Sequence, residues 1–410
     1  MTRKPNAPGR EFDFIVVGEG TGALVTTATL RRHGKSVIRV GAPFPLPDRP
    51  VGSGWCAEPP PTGFDAAGPP ARGLLVRGTV LPLPLTRGGL ARLLPVSALG
   101  RAGVALARAR ASAAIAAFVG GGREERTYKD WVEYRFGEPL YEAIFAPYAR
   151  ARFGPPESLL CGVARVVHGQ VATAGSAVPA RIFHDAGPTE SAMVTAIREG
   201  CVTTEAGELH GAVVVDLPPD AVLRVWTGEH DATLDVEAAH LEARHGVEVF
   251  LTGRLPGGIA ELHVIDAPFF RAVAVGDQVS LHLAVEPGAP EWCDEDSVLA
   301  ERLVSAATAC GLPGLTAAGA QVRRLARHNP VWRTSHLTRL RTWTDALVDG
   351  GIEPVGRLGL VAPMSPAAIA SYAEDRLIHG ATLRDCIRAH VEPPPRDAEA
   401  RPRLSAFLTR

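Results

Sequence analysis

The 410-residue chain has no excess of charge, no long apolar run and no closely spaced cysteines. Its 43 basic and 44 acidic residues leave a formal net charge of −1, which argues against nucleic acid or an anionic membrane as a partner. The six cysteines form no CxxC pair, so neither a disulfide framework nor a thiolate zinc site is expected. The most apolar stretch, 102–121, contains Arg108 and Arg110 and is a poor transmembrane span.

The sequence also lacks a signal peptide, because the first ten residues are polar and no apolar run follows them. We therefore expect a soluble, cytoplasmic protein. The alanine-rich stretch 89–119 predicts a helix that packs within a helical subdomain. Peripheral contact of this helix with a membrane stays open as the weaker alternative, because aromatic anchors are missing.

Several catalytic signatures are missing as well. There is no GxSxG elbow and no HExxH or other metal-binding histidine spacing, so no metal site and no catalytic residue are predicted. Gly34-Lys35-Ser36 ends like a P-loop, but the earlier glycine of that motif is absent. The pairs His184-Asp185 and His328-Asn329 are isolated and carry no recognisable chemistry.

A βαβ unit opens the chain. The apolar run 12–17 predicts a buried strand, a glycine turn follows at 18–23, and 24–33 predicts a helix that Gly34 ends. The segment 36–40 predicts a second strand. This order predicts a parallel sheet and an α/β fold.

The glycine turn matches GxGxx(G/A), in which the backbone approaches a pyrophosphate at the amino end of a helix. The candidate binding residues are Gly18, Gly20, Thr21, Gly22 and Ala23. Strand and helix on either side favour a dinucleotide site. A turn that only closes the βαβ unit is the structural alternative.

Two features oppose simple dinucleotide binding. Gly41 lies at the end of the second strand, where an acid normally binds the ribose hydroxyls, and Glu19 places a carboxylate inside the phosphate-binding loop. Arg39 could reach a 2′-phosphate, although a surface position is the more ordinary expectation for it. Glutamate at position 41 is expected to tighten dinucleotide binding.

Further elements follow from local patterns. Thr127 and Asp130 predict a capping box, Gly137 ends that helix and Pro139 starts another. A hairpin is predicted over 73–85, a buried strand over 211–217 and a helix over 297–310. The segments 247–251, 272–275 and 279–285 predict a mostly antiparallel sheet. A glycine-containing loop after Pro354, a helix over 365–379 and a loose tail at 391–410 complete the chain.

The block from Tyr128 to Tyr148 (YKDW…RFGEPLY…FAPY) resembles a signature of protoporphyrinogen-oxidase-like, phytoene-desaturase-like and UDP-galactopyranose-mutase-like flavoproteins, within the flavin-containing amine oxidase superfamily. Weaker pieces at 80–85, 212–218 and 355–359 follow in the matching order. The resemblance covers about residues 11–385.

The resemblance implies a Rossmann-like FAD/NAD(P)-binding domain with an inserted substrate domain, which has a helical part and the mostly antiparallel sheet. The FAD-binding domain would comprise 11–86, 190–225 and 350–390, and the substrate domain 87–189 and 226–349. Gly356, Arg357 and Gly359 match the family's C-terminal flavin motif, and Met364 would begin a helix near the flavin ring. Gly41, a missing GGR-type stretch and a shortened adenine-contacting segment, 191–211, depart from the pattern.

Two functions follow from these observations. The first is an FAD-dependent oxidoreductase, or a redox-neutral flavin isomerase, that acts on a bulky apolar small molecule. The second is a non-catalytic descendant of the fold that has lost FAD and binds a partner protein or another ligand. A homodimer is compatible with both.

Overall fold

The computed structural model describes residues 10–41, 71–83, 127–164, 190–228 and 232–391, apart from 334, 363 and 365, together with isolated helical positions between 89 and 107. The predicted helix over 89–119, the His184-Asp185 pair and the tail after Val391 therefore fall wholly or largely outside the described residues. Within the described residues, two seven-stranded sheets and the helices around them form a mixed α/β structure.

The first sheet (sheet 1) contains the βαβ unit. Its order is β5-β2-β1-β8-β7-β6, with β14 also paired to β8. The central strands β2, β1, β8 and β14 are parallel, and β7 and β6 continue antiparallel. The strands are β1 Arg10–Val17, β2 Val37–Gly41, β5 Glu190–Ser191, β6 Val194–Arg198, β7 Cys201–Thr204, β8 Gly207–Val215 and β14 Ile352–Pro354.

The second sheet (sheet 2) has the order β13-β9-β12-β11-β10-β3-β4. Its neighbours are antiparallel except for the parallel pair of β3 and β10. The strands are β3 Arg72–Val76, β4 Thr79–Pro82, β9 Ala243–Thr252, β10 Glu261–Val264, β11 Arg271–Val275, β12 Gln278–Val285 and β13 Thr316–Pro330. The mostly antiparallel sheet expected from the sequence is confirmed.

The α-helices cover both sheets. They are α1 Thr21–Arg32, α2 Tyr128–Phe136, α3 Glu138–Leu140, α4 Ala146–Phe153, α5 Pro219–Val225, α6 Ala232–Ala239, α7 Pro290–Cys293, α8 Asp296–Ala309, α9 His336–Asp349, α10 Gly356–Gly359, α11 Pro366–Ala373 and α12 Leu383–Cys386. The described residues also form π-helical segments at Tyr141–Phe145, Glu374–Ile378 and Ile387–Val391. Short 3₁₀ turns lie at Pro156–Ser158 and Pro256–Gly258.

Local sequence signals explain where the helices begin and end. Thr127 caps α2 through its side chain, and Asp130 completes the predicted capping box. Gly137 ends α2 with a φ of 83°, a left-handed conformation that glycine adopts without a Cβ penalty. Beyond Gly137 the chain continues through α3 and a π-helical segment into α4.

Two hydrophobic cores correspond to the two sheets. The larger surrounds sheet 1 and includes α1, α2, α4 and α9. The smaller lies between sheet 2 and α8, where Leu299, Leu303 and Ala307 pack on alternate residues of the strands, such as Val249 and Leu281. The helix α8 therefore covers one face of sheet 2. The other face of the sheet is directed toward α4, where the hydroxyl of Tyr148 contacts His263.

The strands β3 and β4 lie within the segment 11–86, which was predicted to bind FAD, and belong to sheet 2, where β3 pairs with β10 and β4 pairs with β3. Two expectations need correction. The expected loop after Pro354 is the short helix α10. Arg39 is not a surface residue, because only 5% of its surface is exposed. The wider division into two domains stays a prediction.

Among the described residues, no helix is both long and apolar enough to cross a membrane. The five described cysteines are all free thiols.

Candidate functional site

The predicted glycine turn comes together with α10 at the carboxyl end of β8. Gly18 has a φ of 140°, and Gly20 precedes α1 with no side-chain cap. Gly356 packs so closely that a Cβ on it would lie 2.7 Å from the Cα of Gly22. Gly359 rests against the backbone of Val215, the last residue of β8. Two motifs more than 300 residues apart in the sequence thus form one structural unit.

Asp216, the residue after β8, lies at the centre of this unit. Its carboxylate accepts a hydrogen bond from the backbone N–H of Ala23 at 2.9 Å and another from that of Leu358 at 3.1 Å. The residue is only 1% exposed. Asp216 was missed in the sequence analysis; the only local signal is a carboxylate near the end of the apolar strand predicted over 211–217.

The carboxylate of Asp216 is held at the positive end of α1. Burial raises the pKa of Asp216 above its ordinary value, while the amides of Ala23 and Leu358 and the charge of Arg357 act in the opposite direction. The amide of Ala23 belongs to the set at the amino end of α1 that would hold a pyrophosphate. A diphosphate in this position would compete with Asp216 for the amides and repel its negative charge, so the residues present do not fit the FAD diphosphate.

Gly41 and Glu19 meet at the end of β2. The carboxyl group of Glu19 lies directly against Gly41, in the space where a side chain at position 41 would begin. Glu19 therefore supplies a carboxylate where the sequence analysis found the ribose-binding acid missing. Burial raises the pKa of Glu19, and nearby Arg39 lowers it. A glutamate at position 41 would first have to displace Glu19, so our expectation for that substitution needs correction.

Thr21, Arg357 and Met364 are the remaining predicted site residues. Thr21 is the first residue of α1 and is partly exposed. Arg357 donates a hydrogen bond from Nε to the backbone oxygen of Met364 at 2.8 Å. Burial, together with the charges of Arg152 and Arg271, lowers the pKa of Arg357 to about 10. Arg357 therefore connects the glycine unit with residues of α4 and sheet 2.

A row of titratable side chains crosses five strands of sheet 2, and we call it the polar row. Directly opposite residues on paired strands point to the same face, and the observed register aligns five of them. The row, from β13 to β10, is Arg323, Glu248, His282, Arg271 and His263. The sequence signal is a polar residue alternating with apolar ones, as in Val247-Glu248-Val249 and Leu281-His282-Leu283.

Glu261, on β10, lies next to the His263 end of the polar row. Its carboxylate accepts hydrogen bonds from Nε of Arg72 and Nε of Arg271, both at 2.7 Å. The guanidiniums of these arginines hold the pKa of Glu261 at about 2 despite its burial. His263 is 1% exposed and lies 3.0 Å through Nδ1 from the hydroxyl of Tyr148. Burial lowers its pKa to about 3, so His263 is neutral at pH 7.

The other end of the row is organised around Glu248. Its carboxylate forms an ion pair with Arg323 and lies 3.4 Å from Nδ1 of His282, and despite burial these two neighbours hold its pKa well below the ordinary value. Burial lowers the pKa of His328 to about 4, and the charge of Arg357 contributes in the same direction.

Positive charge exceeds negative charge around the polar row. Arg152, on α4, is 7% exposed, hydrogen-bonds Tyr148 and lies over the ring of Phe270. Among the described residues, the arginines of this region are Arg72, Arg152, Arg271, Arg323 and Arg357, and the carboxylates that act on them are those of Glu248, Glu261 and Asp216. Guanidinium groups are suited to planar, bidentate contacts with carboxylates and phosphates. The arrangement can therefore bind an anion.

A possible metal cluster lies elsewhere, on the β7–β8 hairpin. Ligand atoms of Cys201, Glu208 and His210 lie within 4.8 Å of one another. However, Arg198 contacts both the Cys201 sulfur and the Glu208 carboxylate, and its positive charge opposes a cation. We assign no metal to this cluster.

Comparison with solved structures identifies the fold. The chain is similar to reduced UDP-galactopyranose mutase, with a TM-score of 0.60 and 16% identity over 92% of this chain and 97% of that one. The chain has the fold of FAD-dependent flavoproteins of the amine oxidase superfamily. The resemblance seen in the sequence is thereby confirmed at the level of the fold.

Two further structures support the same fold. A protoporphyrinogen oxidase-like protein from Exiguobacterium sp. 255-15 has a TM-score of 0.55 and 14% identity over 92% of this chain and 100% of its own. The CLA-producing fatty acid isomerase from P. acnes has a TM-score of 0.54 and 12% identity over 90% of this chain and 98% of its own. No protein-family profile matches the chain, and no curated protein sequence does either.

Proposed function

We propose that this flavoprotein-fold chain binds an anionic small molecule, a carboxylate or a phosphate ester, between the polar row and α10. The observation that carries this proposal is the excess of guanidinium groups over carboxylates in a largely buried region. Burial and the charges of Arg152 and Arg271 lower the pKa of Arg357, so these three cations lie near one another. An anionic ligand would add negative charge to this region.

The chemistry of the neighbours agrees with an anion. The names of two of them refer to a UDP-sugar and to a fatty acid, which carry a diphosphate and a carboxylate respectively. The resemblance in the sequence implied a bulky apolar substrate. We keep an apolar portion in the proposal, since Phe270 lies beside Arg152 and could pack against it, and we add a charged group at the arginines.

An FAD-dependent oxidoreductase or redox-neutral isomerase is the second candidate function, and the likeness to three flavoproteins favours it. The carboxylate of Asp216 argues against it, because it takes an amide that a diphosphate would need. Visible flavin absorption that survives gel filtration of the purified protein would support this candidate. A cytoplasmic location, a homodimer and a protein partner stay predictions.

The test of anion binding compares charged probes on the purified full chain. Calorimetry with a UDP-sugar and with decanoate is expected to show binding of at least one, and putrescine, a dication, is expected not to bind. Arg271→Gln should weaken the binding of that anion by roughly ten- to a hundredfold, which corresponds to one lost charge-assisted hydrogen bond.

Arg254→Gln is the matched control for Arg271→Gln. Arg254 follows β9 in the same half of the structure, and its side chain is 83% exposed and paired with Asp277. The control should leave anion binding unchanged. The proposal would be contradicted if neither anion bound, or if putrescine bound as tightly as the anions. It would also be contradicted if Arg271→Gln and Arg254→Gln lost the same affinity for the anion.

A further inference from the structure

The glycine turn and α10 enclose a carboxylate of this chain in the position that suits an external anion. We propose that Asp216 is an internal substitute for the diphosphate of a dinucleotide, and that the chain with Asp216 ionised therefore does not bind FAD at this turn. This inference does not depend on the proposed anion site at the polar row.

Hydrogen bonding is the first argument. A helix amino end binds an anion through backbone N–H groups that have no partner within the helix. At α1 the N–H of Ala23 already donates to Asp216, and the N–H of Leu358 donates to the other oxygen of the same carboxylate. One side chain thus joins the two glycine motifs that the flavoprotein resemblance assigns to FAD.

Space is the second argument. A Cβ on Gly20 would lie 2.8 Å from a carboxylate oxygen of Asp216, and a Cβ on Gly22 or Gly356 would lie 2.5 Å from one. Real Cβ atoms essentially never approach that closely, so the carboxylate fills the space these glycines leave open. The glycines are explained by the close approach of Asp216 and do not by themselves require a bound nucleotide.

Charge is the third argument. A diphosphate here would meet the carboxylate of Asp216 at the turn and that of Glu19 at the end of β2. The cations that act on these two acids are Arg357 for Asp216 and Arg39 for Glu19. Each cation therefore already balances an acid of the chain, and a diphosphate would add negative charge that they do not offset.

The test measures binding of FAD and of ADP to the full chain and to the variants Asp216→Ala and Asp216→Asn. The wild-type chain is expected to bind neither ligand measurably at neutral pH. Asp216→Ala frees the amides of Ala23 and Leu358, so it should bind at least one ligand tighter by about tenfold or more. Its melting temperature should fall below that of the wild type and rise again with inorganic pyrophosphate.

Asp220→Ala is the control, because Asp220 is nearby in the sequence, partly exposed and paired with Arg327. It should gain no affinity for FAD or ADP. If Asp216→Ala does not fold, the isosteric Asp216→Asn decides the same comparison. FAD bound by the wild-type chain as tightly as by the variants would overturn the proposal, and so would a folded Asp216 variant that gains no affinity. Adding Arg271→Gln to an Asp216 variant should not alter the gain in affinity for FAD or ADP. This result would separate the present test from the test of the polar row.

Discussion

Replacing Glu261 with glutamine would remove the carboxylate shared by Arg72 and Arg271 at the end of the polar row. Both guanidiniums lie 2.7 Å from it, and Arg72 is 8% exposed. The amide of glutamine has nearly the same shape but no negative charge. The variant therefore leaves two cations close together in a region that excludes most water.

The pKa of Glu261 gives the size of the effect. Its displacement from 4.5 to about 2 in the folded state corresponds to about 3 kcal/mol of stability at neutral pH. Breaking a buried ion pair from one side costs a similar amount, about 3–5 kcal/mol. We therefore expect Glu261→Gln to lower the free energy of unfolding by about 3 kcal/mol at pH 7.

The pH dependence provides an independent check on the cause. The pKa of Glu261 is lowered by folding, so its stabilisation is complete above 4.5 and is lost as the pH falls from there through about 2. The difference between wild type and variant should therefore narrow as the pH falls below 4.5. Urea denaturation followed by circular dichroism, from pH 7 to the lowest pH at which the wild type stays folded, measures this difference.

Asp277→Asn is the control for this series. Asp277 pairs with Arg254, but both side chains are more than 80% exposed, so the change should stay within about 0.5 kcal/mol. The assigned role of the buried ion pairs would be refuted if Glu261→Gln lowered the free energy of unfolding by less than about 1 kcal/mol. It would also be refuted if the difference in this free energy between wild type and variant did not vary with pH.

Two predictions concern local structure. Thr127→Ala removes the capping box of α2 and should lower the free energy of unfolding by about 1 kcal/mol in urea denaturation. Thr342→Ala, at an exposed position within α9, should not lower it, and equal losses would contradict the capping argument. Arg77→Asn should raise the melting temperature, because Arg77 adopts a φ of 48° before Gly78 in the β3–β4 turn and asparagine tolerates that conformation better. Arg77→Lys should leave the melting temperature unchanged, and a fall with asparagine would count against a strained turn.

Elements that depend on near neighbours in the chain could be predicted from the sequence. The strand, glycine turn and helix at the start follow from apolar residues and from Gly18 and Gly34, and the structure contains them within a few residues of the expected bounds. The capping box at Thr127 is confirmed for the same reason, since its two partners are three residues apart. In each case the relevant interactions are local.

The contacts that decide the candidate sites are not local. Asp216 and Ala23 are 193 residues apart, and no short pattern specifies that their atoms will meet. Without that contact the glycine turn alone favours a diphosphate, which is why the sequence analysis placed FAD there. The polar row is similar, because its members come from five strands and only the register aligns them.

The sequence by itself determined the helices and strands of this protein. It also determined an order of motifs that resembles the order in flavoproteins. Only the tertiary structure placed β3 beside β10, with β4 paired to β3 at the edge of sheet 2. It also brought a carboxylate to the amides of α1 and gathered the arginines around one sheet face. The physical reason is that hydrogen-bond propensity and side-chain period act over a few residues, whereas Coulomb forces and packing depend on distances that only the folded chain defines.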